Sequence, residues 1–175
     1  WYENGKKRFE GTYKNGLSHG EWTYWYDDGS KWYSGVDKNG KNEGKYEQFS
    51  EGTETIVIVD GQYKNGKKDG LWTYWYDSGQ KKGEENYKDG KRDGIWISWY
   101  SNGQKKFEDN YKDGRVEGKW IWWDENGEKR EEITYKNGNR IEQSDIIIDK
   151  RLVVEARLAE EAAAEKAAEE ARLAA

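Results

Sequence analysis

The chain has 175 residues, enough for a sizeable domain, but only 33% are apolar and mean hydropathy is −1.34, which argues against a conventional aliphatic core. Eleven Trp, thirteen Tyr and three Phe argue against the opposite extreme, a disordered polar chain, because large rings bury much area while keeping a polar edge for water. A net charge of −5 with no basic segment disfavours a general nucleic-acid role, and the lack of Cys excludes disulfides and thiolate metal sites.

The chain opens midway through a repeating unit. Trp1-Tyr2-Glu3-Asn4-Gly5 matches Trp25-Tyr26-Asp27-Asp28-Gly29, and the missing initial Met leaves room for a removed leader. From there one phrase recurs: Tyr13-Lys14-Asn15-Gly16, a degenerate Asp37-Lys38-Asn39-Gly40, then copies starting at Tyr63, Tyr87, Tyr111 and Tyr135. The spacings are 24, 26, 24, 24 and 24 residues. Self-similarity at such a period marks a repeat array, in which each unit contacts mainly its neighbours.

Residues 87–110 serve as the reference unit. Asp89-Gly90 and Asn102-Gly103 read as hairpin-turn pairs, since Gly and Asn/Asp tolerate the positive φ such turns need. Asp93-Gly94 reads as the far side of a six-residue loop or as a bulge. Segments rich in Trp, Tyr, Ile and Thr predict two short antiparallel strands per unit, near 95–100 and 104–112. Period 2 puts Trp96, Ser98 and Tyr100 on one face and Ile95, Ile97 and Trp99 on the other; Phe107 and Tyr111 share a face. Stacked units then make two ladders, Trp22, Tyr46, Trp72, Trp96, Trp120 and Trp25, Phe49, Trp75, Trp99, Trp123. Rungs would stand roughly 9.6 Å apart, with Tyr and Phe of the intervening strand filling each gap, across about eleven strands. The absence of Pro fits unbroken ladder hydrogen bonding. The fold class is mainly β: an elongated single-layer antiparallel meander of 24-residue hairpin repeats over residues 1–144.

One unit, 37–62, is irregular. It puts Tyr46, Phe49 and Ser50 where others have Trp, Trp and Tyr, and its Ile56-Val57-Ile58-Val59 run lacks alternation. Such a run should be covered on both faces. A bulged strand with local packing is the favoured reading; a docking spot for a partner, with Ile56, Val57 and Ile58 as contacts, is the other. After residue 144 the aromatics cease. Asp145-Ile146-Ile147-Ile148 reads as a last strand, and Ala, Glu, Arg, Lys and Leu then predict a helix over 150–175, roughly 38 Å long. Its candidate contacts are Leu152, Val153, Ala156 and Leu173. It would either cap the last strand or serve attachment to a helical partner.

The unit Tyr-Lys-Asn/Asp-Gly-x-x-acid-Gly-x-Trp-x-x-Trp-Tyr-x-x-Gly-x-Lys resembles the MORN repeat, and most closely its bacterial variant, found in proteins often named antitoxins. The resemblance covers about residues 1–144 and implies an elongated single-layer sheet used for scaffolding, dimerisation or membrane-proximal attachment. The choline-binding cell-wall repeat is also similar in its Gly, Trp and Tyr, but that repeat is shorter.

His19 is the only histidine and interchanges with Glu43, Asp69, Asp93 and Glu117, so it reads as a solvated turn residue. One carboxylate per unit is too sparse for calcium, which takes at least about six oxygen ligands. A lysine column, Lys7, Lys31, Lys81, Lys105 and Lys129, reads as a solvated face paired with nearby acids; an anionic lipid or acidic partner is the functional alternative. No Ser/His/Asp set, phosphate loop or metal spacing appears, and no stretch is apolar enough to span a bilayer. The sequence therefore predicts no enzyme, no catalytic residue, no metal and no cofactor. It predicts a scaffold or protein-interaction module with a protein partner, the second aromatic ladder, Trp25 to Trp123, being the candidate binding row. An antitoxin that covers a toxin, or a sugar-binding surface built on the rings, are the alternatives.

Overall fold

A computed structural model of the chain describes residues 1–52, 56–141, 151, 154–163 and 166. Its strands are β1 (Phe9–Lys14), β2 (Leu17–Trp25), β3 (Lys31–Lys38), β4 (Lys41–Phe49), β5 (Val57–Lys64), β6 (Lys67–Trp75), β7 (Lys81–Lys88), β8 (Lys91–Trp99), β9 (Lys105–Lys112), β10 (Arg115–Val116), β11 (Gly118–Trp123), β12 (Lys129–Lys136) and β13 (Asn139–Ile141). They form one thirteen-stranded antiparallel meander in chain order, β10 pairing β9 beside it. The meander is the expected fold, with two more strands than the expected eleven. Two compact units divide between Asn139 and Arg140. In the second, residues 151, 154–163 and 166 are helical, and 154–163 are exposed throughout.

Two kinds of connection alternate. Tight turns are two residues long with both residues left-handed, as in Asp89 (φ 51°) and Gly90 (φ 83°). The same pair stands at 15–16, 39–40, 65–66, 113–114 and 137–138, so the degenerate unit turns like the others. Asn102-Gly103 is not a pair of this kind. Only Gly103 is left-handed (φ 86°), and the loop closes through Gly103 N–H to Tyr100 O (2.9 Å) and Tyr100 N–H to Gln104 O (2.8 Å). The Asn102 side chain does the work expected of its backbone: Oδ1 accepts from Gln104 N–H at 2.9 Å. Tyr100 lies one residue past the end of β8, with Lys106 over its ring at 5.3 Å.

Each long strand starts directly at its tight turn, four residues earlier than 95 in the case of β8. Gly94 marks a bulge and not a loop. The pairing passes from Glu85↔Trp96 to Tyr87↔Arg92, so two steps on β7 oppose four on β8. Asn86 fills the bulge, its Nδ2 donating to Ile95 O at 2.7 Å, while the indole N–H of Trp96 donates to Asn86 O at 3.0 Å. Trp72 repeats that second bond to Gln62 O at 3.1 Å. Thr12, hydrogen-bonded to His19 O, stands in for Asn86 in the first unit.

Most of the core lies on one face of this sheet, with Phe49 buried on the other. Trp22, Trp72 and Trp96 are buried, with Trp72 1% exposed. The rungs between them are not Tyr and Phe. Across strands the row runs Gly11↔Trp22↔Gly35↔Tyr46↔Gly61, and continues Trp72↔Glu85↔Trp96↔Asp109. Each bulky ring lies over a small or acidic neighbour because a second ring in that row would overlap it. At Gly61 an added Cβ would stand 2.3 Å from the Trp72 ring, and over this glycine Tyr46 reaches Trp72 at 5.5 Å between centroids. The intervening tyrosines stand one pair further along and turn an edge to the indole, as Tyr63 does to Trp72 (5.0 Å, 81°).

Candidate binding surface

The array is stitched at both sheet margins, and these stitches absorb most of the polar residues that looked available for chemistry. At the loop margin, the hydroxyls of Tyr2, Tyr76 and Tyr100 donate to the backbone oxygens of Trp25 (2.6 Å), Trp99 (2.9 Å) and Trp123 (3.0 Å), each one repeat ahead. At the tight-turn margin, the acidic column does the same. Glu43, Asp69, Asp93 and Glu117 accept from the amides of Asn65 (2.7 Å), Asp89 (3.2 Å), Asp113 (3.1 Å) and Asn137 (2.7 Å). The carboxylates are therefore caps for the next turn. His19 occupies that position in the first unit, and its Nδ1 is buried with no partner. Among the described residues, no three His, Cys, Asp or Glu side chains converge as metal ligands would.

On the packed face, two cations lie flat on rings. The Lys68 ammonium sits 4.1 Å from the centre of Trp72 and donates to the Tyr74 hydroxyl at 2.7 Å. The Arg92 guanidinium sits 3.9 Å above Trp96 and donates to the Tyr111 hydroxyl at 2.8 Å. Burial lowers the Lys68 pKa from its ordinary value. Burial, then the carboxylate of Glu85, pushes the Tyr87 phenol up to about 12; that carboxylate accepts from Tyr87 at 3.0 Å. Asp109, only 5% exposed, is likewise raised by burial, against the pull of its hydrogen bond with Tyr111 and of Arg92. Nothing at sequence level singled out Glu85 and Asp109. The signal was present: they hold the place, two before each repeated Tyr, that Gly11, Gly35 and Gly61 hold elsewhere.

On the opposite side lies the expected binding row. Trp25, Trp75, Trp99 and Trp123 are half-buried and Phe49 is buried. The lysine column roofs it: Lys7 over Trp25 (5.3 Å), Lys31 over Phe49 (5.2 Å), Lys81 over Trp99 (5.6 Å) and Lys105 over Trp123 (5.3 Å). Three of these lysines also pair with the acid three residues on, Lys7–Glu10 (3.0 Å), Lys81–Glu84 (2.5 Å) and Lys105–Glu108 (2.6 Å). Lys129, the last of the column, pairs with Glu132 (2.8 Å), which also meets Lys119. Hydrogen bonds from those two lysines depress the Glu132 carboxyl to about 2. The irregular unit breaks this roof. Val57, paired with Phe49 as Lys31 is with Trp25, takes the lysine position ahead of Trp75. Ile56, Val57, Ile58 and Val59 are all half-buried, not covered on both faces, because the sheet is a single layer. Leu71 and Ile95 add apolar surface on this side, 49% and 52% exposed. In the second unit Ala156 is helical and exposed, while Leu152, Val153 and Leu173 lie outside the described residues.

A family model described as the MORN repeat variant matches residues 1–15, 68–89, 92–113 and 116–137. Over those segments the chain is similar to that family; the matches leave out the irregular unit. No curated protein matches the chain.

Proposed function

We propose that the chain is a non-enzymatic scaffold that binds a protein partner along the half-covered row from Trp25 to Trp123. The observation that carries this reading is the lysine roof over that row. Half-buried Trp rings with lysine ammoniums above them form a surface that a partner with carboxylates can uncover and occupy. The similarity to MORN-variant repeats, which suggest scaffolds or interaction modules, supports the same class of function. The break at Val57, paired with Phe49, supplies an aliphatic step in the row at the place where the regular units put a lysine.

The test is affinity capture from the native source with identification of what is retained, using the wild-type chain and a Lys81→Glu/Lys105→Glu variant. Lys81 is exposed and Lys105 half-buried, and a cooperative melt of the variant establishes first that it folds. The reading expects a stoichiometric protein that the variant loses. Equal retention by both chains removes the row from the interface. A captured toxin would make the role that of an antitoxin; a captured glycan would favour the sugar-binding alternative.

A further inference from the structure

The packed face has a second row of cross-strand pairs beside the Trp22–Trp96 row. It begins as a stack of rings, Phe9 on Tyr24 (5.7 Å) and Tyr24 on Tyr33 (4.4 Å). Two repeats on, past Gln48 and Val59, it reads Tyr74↔Gly83↔Ser98↔Phe107, where two neighbouring places again hold no ring. The result is a cleft of about 310 Å³ whose walls include Tyr74, Trp96 and Phe107. Its floor is Gly83, where an added Cβ would meet nothing nearer than 3.6 Å. The Ser98 Oγ is buried there without a hydrogen-bond partner. Lys82 and Lys106, both exposed, stand at the rim. The Glu85 carboxylate at one end already accepts from Tyr87.

The same sheet shows what such a floor accommodates, since the indole of Trp72 lies flat on Gly61 and that of Trp22 on Gly11. A sugar would need several free polar partners within the cleft, and among the described residues Ser98 is the one lining residue with a buried, unpartnered polar atom. We propose that this cleft takes the aromatic side chain of a partner protein, a tyrosine or tryptophan on an acidic segment. The ring lies on Gly83 between Tyr74 and Phe107, its hydroxyl or indole N–H meets Ser98 Oγ, and the flanking carboxylates meet Lys82 and Lys106. Buried aromatic anchors of this kind carry a disproportionate share of interface energy. The inference rests on the reading of the chain as an interaction module and gives that module an anchor point on its other face.

The test uses the full chain, labelled with ¹⁵N, and three probes: an acetylated, amidated Glu-Glu-Tyr-Glu-Glu peptide, the same peptide with Ala for Tyr, and methyl β-glucoside. The tyrosine peptide should give saturable shifts at Ser98, Gly83 and the Trp96 indole, with the alanine peptide at least about tenfold weaker. Ser98→Tyr refills the row from within, as Tyr24 does in the first unit, and should cut the peptide's affinity by at least about tenfold while melting remains cooperative. Gly83→Leu does the same from the floor should the first variant not fold. Equal binding of both peptides, unchanged affinity in the filled variants, no shift at all, or shifts by the glucoside alone each overturn the proposal. Partner capture that is lost on Lys81→Glu/Lys105→Glu but intact in Ser98→Tyr would retain the scaffold reading and remove this cleft from it.

Discussion

Gly35 and Gly61 hold the same place in consecutive repeats, both in extended backbone, yet alanine should act on them in opposite directions. At Gly61 the new methyl would stand 2.3 Å from the Trp72 ring, inside any real contact, and Trp72 is the most buried large side chain described. Overpacking of this kind costs about 1–3 kcal/mol, and outright expulsion of the indole would approach the roughly 3–5 kcal/mol of Trp→Ala. At Gly35 the methyl would meet only Lys45 O and the Tyr46 ring, each at 3.7 Å, an ordinary contact. There the loss of unfolded-state freedom should leave Gly35→Ala neutral or stabilised by about 0.4–1 kcal/mol. Urea unfolding followed by near-ultraviolet dichroism of the tryptophans reads both. Gly61→Ala should then cost little in a Trp72→Ala background, because the clash has no partner left. Equal midpoints for the two alanine variants, or a Gly61→Ala penalty that persists without the indole, would refute the ring-on-glycine account.

Trp96→Ala should cost about 3–5 kcal/mol, and Lys105→Ala no more than about 0.5, in the same urea assay; Trp99→Ala, half-buried, should fall between them. Tyr100→Phe removes one bond to the following repeat and should cost about 0.5–1.5 kcal/mol, read as faster amide exchange around Trp123. Asp109→Asn should flatten the pH dependence of stability. Because the folded carboxyl is raised, the folded state binds the extra proton between the unfolded and folded pKa values. The Asp109 contribution therefore improves as pH falls through that window and is least favourable above it. The variant should gain stability at pH 7 and lose this acid-side gain; an unchanged profile would refute it. Amides of 154–163 should exchange no slower than in a free peptide unless a partner is bound, since every side chain there is exposed.

The meander was legible because its signals are local: the Asn/Asp-Gly pair of each recurring Lys-Asn/Asp-Gly phrase specifies a turn from two residues, and alternation specifies two faces. What stayed hidden depends on pairing across strands. Glu85 and Gly61 occupy equivalent places, and only the pairing shows that one lies between Trp72 and Trp96 while the other lies under Trp72 itself. Likewise Ser98 looked like an ordinary strand residue until Gly83 was found opposite it. The roles of Asp93 and Asn102 were obscure for a related reason: each bonds to backbone of the next repeat, twenty or more residues away. The lysine column was readable, since an acid three residues on is a sequence feature; that it also roofs the Trp row follows from how neighbouring repeats pair.

The loop-margin stitches have a mechanical consequence. Each hydroxyl brace points forward by one repeat, but at the irregular unit Ser50 replaces the tyrosine, and its shorter side chain meets the carboxylate of Asp77 at 2.8 Å. Its neighbour Tyr26 holds Phe49 O at a long 3.4 Å. Between β4 and β5 the strands pair in register apart from one bulge, yet among the described residues of this margin there is no tyrosine to brace the next repeat's backbone. Pulled from its two ends, the array should therefore yield there first, parting as a front block of four strands from a rear block that stays intact at that load.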